Sequence, residues 1–86
     1  MNYYLGNLIS YFDEGGDILI DVNKLKGSIV SAGKTQTDVA KRLGITPKTF
    51  SIKLKKGVFG SDEIEVMIDY LSIEDPLSIF FAKEVT

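Results

Sequence analysis

The stretch that decides the fold is Thr35 to Phe50, TQTDVAKRLGITPKTF. Its two halves have the same grammar. Thr35 is a helix N-cap with Asp38 three residues on, a shortened capping box. Val39, Ala40 and Leu43 follow at the spacing of one buried helix face, and Gly44 stops that helix. Thr46 then caps a second helix, and Pro47 occupies its first position, where the missing N–H costs nothing. Gly57 closes it. Only Gly44-Ile45 and the cap Thr46 separate the two. A connection that short predicts two helices held at a steep angle, the geometry in which a second helix can be presented to a major groove. The same pattern is also compatible with a plain helical hairpin in a small bundle.

Working outward, Asp21 predicts a helix to about Ser31, with Val22, Leu25, Ile29 and Val30 turned inward and Gly33 at its end. Beyond a turn at Val58-Phe59-Gly60, Ser61 is the expected cap of a further helix. That helix has Asp62, Glu63 and Glu65 near its positive end and Ile64, Met67, Ile68 and Leu71 inward. Asp75-Pro76 predicts a last short helix carrying Leu77, Ile79, Phe80 and Phe81. The N-terminal MNYYLGNLISYF has Tyr4, Leu5, Leu8, Ile9 and Phe12 on one helical face. It reads as a short amphipathic helix, or alternatively as a strand pairing with Ile18-Leu19-Ile20 across the DEGGD turn. The expected class is all-α, five or six short helices, divided into a leader, 1–16, and a domain, 17–86.

Eighty-six residues make one small domain with little room for a walled active pocket. Without cysteine or histidine there is no disulfide framework, thiolate nucleophile, imidazole base or usual zinc site. Asp62, Glu63, Glu65 and Asp69 resemble a carboxylate cluster, but helix-start charge and a wet face account for them, so neither an enzyme nor a cofactor is expected. No apolar run approaches the roughly 18 residues of a membrane span, and no basic secretory start is present. A cytoplasmic location is expected by elimination.

The net charge of −2 hides a segregation. Residues 23–58 hold nine cations and one acid, residues 1–22 hold four acids and no cation, and residues 59–86 hold seven acids and one lysine. The middle of the chain can therefore present a basic face despite the acidic total. With Phe50 and Leu54 as anchors, a 100° step per residue sets Lys48, Ile52 and Lys55 opposite them, Thr49 and Lys56 on a flank, and Ser51 and Lys53 nearer the sides. That face has no acid. Lys48, Thr49 and Ile52 are the candidate base readers: lysine donates to guanine, threonine serves either kind of base, and isoleucine suits a thymine methyl. Candidate phosphate contacts are Thr35, Gln36, Thr46, Ser51, Lys53, Lys55 and Lys56, with Gln36 at a helix start and the two threonines caps first. Lys41 and Arg42, in mid-helix, suit either phosphate or solvent. The alternative for this face is a solubilising lysine surface with Ile52 covered by another element.

TQTDVAKRLGITPKTFSIKL resembles the helix-turn-helix of the phage repressor and Cro-like family, the XRE-type regulators. The shared features are a Thr-Gln helix start, Ala40, Leu43-Gly44 and an apolar residue at 50. The continuation GVFGSDEIEVMIDYLSIEDPLSIFFAKEV is similar to a subgroup from phages of Gram-positive bacteria, so the resemblance spans residues 18–85. It implies a lambda-repressor-like fold in a bacterial host cell, duplex DNA as partner, Gln36 on a phosphate, and Lys48, Thr49 and Ile52 at base-reading positions. Repressor, Cro-type and excision-control roles are not separated by it. Many relatives place the second core anchor three residues after position 50; here that residue is Lys53, and Leu54 takes the role. The leader is not part of the family pattern. Its apolar face has three possible partners: its own domain, a second copy in a homodimer, or the groove of a partner protein. A helical adaptor or antirepressor that binds another regulator is the alternative to a DNA-binding regulator.

Overall fold

The computed structural model describes residues 17–82, with the side chains of 81 and 82 excepted. The order is β1 (Asp17–Ile20), α1 (Val22–Ser31), α2 (Gln36–Leu43), α3 (Pro47–Lys56), β2 (Val58–Gly60), α4 (Ser61–Tyr70), a 3-10 turn (Pro76–Ser78) and β3 (Phe80–Ala82). The domain is mostly helical with a small sheet, which corrects the all-α expectation. Four α-helices lie among the described residues, not five or six.

The helix boundaries follow the capping chemistry. The Asp21 carboxylate accepts from the Lys24 N–H at 3.1 Å and starts α1. Thr35 Oγ1 accepts from the Asp38 N–H while the Asp38 carboxylate accepts from the Thr35 N–H, at 3.0 and 2.8 Å, a complete capping box on α2. Gly44, at φ +78°, ends that helix in the left-handed region. Its N–H reaches Lys41 O and the Ile45 N–H reaches Ala40 O, the paired bonds of a Schellman motif. Thr46 caps α3 by accepting from the Thr49 N–H.

The sheet is where local pattern misleads. β1 is its central strand, antiparallel to β2 on one edge and β3 on the other, with Ile18 opposite Phe59 and Ala82, and Leu19 opposite Val58 and Phe81. Val58-Phe59-Gly60, expected as a turn, is therefore a strand. The expected final helix is a single 3-10 turn, after which the chain straightens into β3. Both segments are short apolar runs whose strand character is fixed by a partner some 40 to 60 positions away rather than by their own periodicity. Ile18-Leu19-Ile20 lies in the central strand, paired with β2 and β3, whereas the leader, 1–16, expected as an amphipathic helix or as a strand across the DEGGD turn, lies outside the described residues. Gly60, not Ser61, is the N-cap of α4, and its N–H is bound by the Glu63 carboxylate.

One core unites these parts. Ile18, Ile20, Phe59 and Phe80 face it from the sheet, Leu25 and Ile29 from α1, Val39 and Ala40 from α2, Phe50 and Leu54 from α3, and Ile64, Met67 and Ile68 from α4. The Phe50 and Phe59 rings meet at 5.4 Å in a tilted pair. Val30, expected inward, is 75% exposed. It follows Ile29 by one 100° step, and the buried pair Leu25 and Ile29 sets the inward direction of α1. Leu77, expected in the last helix, is also exposed.

Candidate nucleic-acid interface

The pair α2 and α3 carries the candidate site, and the core fixes its orientation. Phe50 and Leu54 are 1% and 4% exposed, so Leu54 is the second anchor of α3 and the opposite face points outward. That face consists of Lys48, Ser51, Ile52, Lys55 and Lys56, all exposed. Ile52 keeps 46% of its surface open, so no described element covers it. A branched aliphatic side chain held in water between lysines contributes little to folding, and it is the feature of this face that calls for a partner.

Thr49 is half-buried and tied to the cap. Thr46 Oγ1 donates to Thr49 Oγ1 at 3.0 Å, so the Thr46 proton is already used and the Thr49 proton remains available to an outside acceptor. Thr46 thus serves as a cap and a positioning group for Thr49 rather than as a phosphate donor. Thr35 is likewise engaged by its capping box, at the exposed start of α2 beside Gln36.

Lys53, another phosphate candidate, is ion-paired within the domain. Its ammonium donates to both oxygens of Glu63, at 2.8 and 3.0 Å, in a part-buried pair whose lysine side chain stays 34% exposed. Lysine 48, 55 and 56 have no carboxylate within ion-pair distance among the described residues.

One open groove gathers residues from three helices: Val22 and Lys26 of α1, Gln36 of α2, and Ser51, Leu54 and Lys55 of α3. Gln36, Ser51 and Lys55 were separate candidates in the sequence, and the fold brings them together. Lys26 was missed as a site residue, although its place on the exposed side of α1, one residue after the buried Leu25, was readable from the helical period. Two lysines, an amide and a hydroxyl beside the positive end of α2 form a setting in which an anion is stabilised. The Asp38 carboxyl lies next to that end and is held below its ordinary 3.8 by the Thr35 backbone and side-chain hydrogen bonds, with help from Lys34 and Lys41.

Lys41 is exposed, whereas Arg42 lies over the Tyr70 ring at 5.1 Å with Lys34 at 5.0 Å from the same ring. These two cations are organised by α4, apart from the α3 face. No described helix is long and apolar enough to cross a membrane. Comparisons with protein-family models, with curated proteins and with solved structures find no match to this chain.

Proposed function

We propose that this chain is a sequence-specific DNA-binding transcriptional regulator of the phage repressor or Cro type, with a lambda-repressor-like helix-turn-helix formed by α2 and α3. The observation that carries the reading is the outward face of α3: Lys48, Ile52, Lys55 and Lys56 exposed together, free of acids, with an aliphatic side chain kept in water. Lys48, Thr49 and Ile52 read base edges in the major groove. Gln36, Ser51, Lys55 and Lys56 hold phosphates, joined by Lys26 across the groove between the helices. A domain this small reads too few base pairs for selectivity in a genome, so it acts as a homodimer on a two-fold site in the bacterial host cytoplasm.

Titration of a labelled random duplex at two salt concentrations tests the first level. Binding at low salt that falls steeply with added salt is the expected result, and no binding at low salt would sink the reading. Selection from a random duplex pool then tests sequence preference. Reversing Lys48 and Lys55 to glutamate should abolish DNA binding. Survival of a protein complex in that double variant would favour the adaptor or antirepressor reading instead.

A further inference from the structure

A threonine hydroxyl can give or take a hydrogen bond, so Thr49 at a base edge has no polarity of its own. Its neighbour in the fold supplies one. Thr46 Oγ1 accepts the Thr49 N–H at 3.0 Å and donates its own proton to Thr49 Oγ1, also at 3.0 Å. The two bonds reinforce each other, because an oxygen that accepts a hydrogen bond becomes a stronger donor. Thr49 Oγ1 thus holds the Thr46 proton on one lone pair, and its own proton meets no acceptor among the described residues. An incoming acceptor completes this half-buried hydroxyl, whereas an incoming donor leaves its proton unmatched.

We infer that α3 is a donor-only reading edge, kept so by Thr46, and that the strand it faces carries guanine and thymine at the contacted positions. This rests on the DNA-binding reading and deepens it. From Thr46 to Gly57 the sequence TPKTFSIKLKKG has no Asn, Gln, Asp or Glu, so the helix offers a base no amide or carboxylate oxygen as acceptor. Lys48 is exposed and can only donate. Ser51, the remaining hydroxyl of the helix, lines the groove with Lys26, Gln36 and Lys55, in the proposed phosphate seat. Ile52, nearly half open, brings an apolar contact and no hydrogen bond. In the major groove guanine shows two acceptors, thymine an acceptor and a methyl group, adenine an acceptor beside a donor, and cytosine a donor. A donor-only edge therefore matches guanine and thymine, leaves the adenine amino group without a partner, and sets donor against donor where cytosine stands. The expected order of preference is guanine and thymine, then adenine, then cytosine.

Competition among duplexes that carry each base in turn at every position of the selected site measures the preference. Thr49→Val identifies the position that Thr49 reads, as the one whose preference it flattens. There the wild type should favour guanine or thymine over cytosine by about three- to tenfold. Thr46→Ser keeps both bonds and should keep that ratio. Thr46→Asp keeps the cap, since a carboxylate accepts the Thr49 N–H, but it has no proton to give to Thr49 Oγ1 and takes the Thr49 proton instead. Thr49 then turns a lone pair outward, and the preference at that position should vanish or invert towards cytosine. The added charge lowers affinity for every duplex, so the ratio between bases is the readout. A wild-type preference for cytosine at that position would overturn the inference, as would a Thr46→Asp variant with the wild-type ratio or a Thr49→Val variant that alters no preference. In each of those cases duplex binding persists and the DNA-binding reading stands. Failure of the wild type to bind any duplex at low salt would overturn both.

Discussion

The Glu63 carboxylate binds the Lys53 ammonium through both oxygens, and the oxygen 3.0 Å from Lys53 also accepts from the Gly60 N–H at 2.9 Å. A single side chain therefore joins the C-terminal half of α3 to the start of α4. It fixes the roll of α3, and with it the direction of Lys48 and Ile52. Glu63→Gln should cost about 1–2 kcal/mol in denaturant unfolding, since it removes a charged, partly buried acceptor. Lys53→Ala and Lys55→Ala then separate structure from binding. Lys53→Ala should lower stability and leave the salt dependence of DNA binding unchanged. Lys55→Ala should change stability by less than about 0.5 kcal/mol while lowering the slope of log K against log salt by about one. An equal loss of slope in both variants would return Lys53 to the phosphate set.

Ile52 gives a different signature. Because nearly half of it is open, Ile52→Ala should change stability by less than about 0.5 kcal/mol. Its loss in affinity should be confined to the selected duplex, at about 1 kcal/mol, with binding to random duplex unchanged. Replacing thymine by uracil at each position of the selected site in turn locates the contact. One position should reproduce the loss in the wild type and show no further loss in Ile52→Ala. A loss that is equal on selected and random duplex would assign Ile52 to general packing.

The first three helices of this domain were legible because each carries its own start and stop. Asp21, Thr35 and Thr46 accept the bonds expected of them, and Gly44 turns left-handed where the pattern ends. The outward face of α3 followed from two anchors, Phe50 and Leu54, and the helical period. The strands were not legible. Phe59 and Phe80 are buried by pairing with a segment distant in sequence, and nothing in three residues of apolar sequence distinguishes that from a turn or a last helix. The ion pair of Lys53 was not legible for a related reason: its period position is lateral, and only the packing of α4 reveals that Glu63 stands beside it. Lys26 entered the site through the approach of α1 to α3, a contact that the sequence of either helix leaves open.

The turn between α2 and α3 provides a third prediction. Gly44 has φ +78°, and a Cβ built there meets no atom within 4 Å. The cost of Gly44→Ala is then backbone strain alone, about 1–2 kcal/mol, and Gly44→Asn should cost less because asparagine tolerates the left-handed region better. Unfolding by urea measures both. A loss for alanine well above that range would mean that the turn relaxes into a neighbour and that the angle between the two helices shifts. Affinity for the selected duplex, measured on the same two variants, should fall little if the angle is kept.

Asp38 is at once a cap and a charge beside the proposed phosphate seat, and the two roles predict opposite effects. Its carboxyl is held below the ordinary 3.8, chiefly by the hydrogen bonds from Thr35, so the ionised form is the one that folding favours. The stabilisation is complete above the ordinary value and is lost as the pH falls through the lowered one. Hydrogen exchange at the Thr35 amide should accordingly stay slow at neutral pH and lose protection in strong acid, relative to the core amide of Val39. Asp38→Asn should remove that pH step and lower stability at neutral pH. The same change deletes a negative charge next to Gln36, so random duplex should bind the variant more tightly, with the difference shrinking as salt rises. Weaker binding by a folded Asp38→Asn variant would mean that the start of α2 faces away from the phosphates, and Gln36 would then leave the interface.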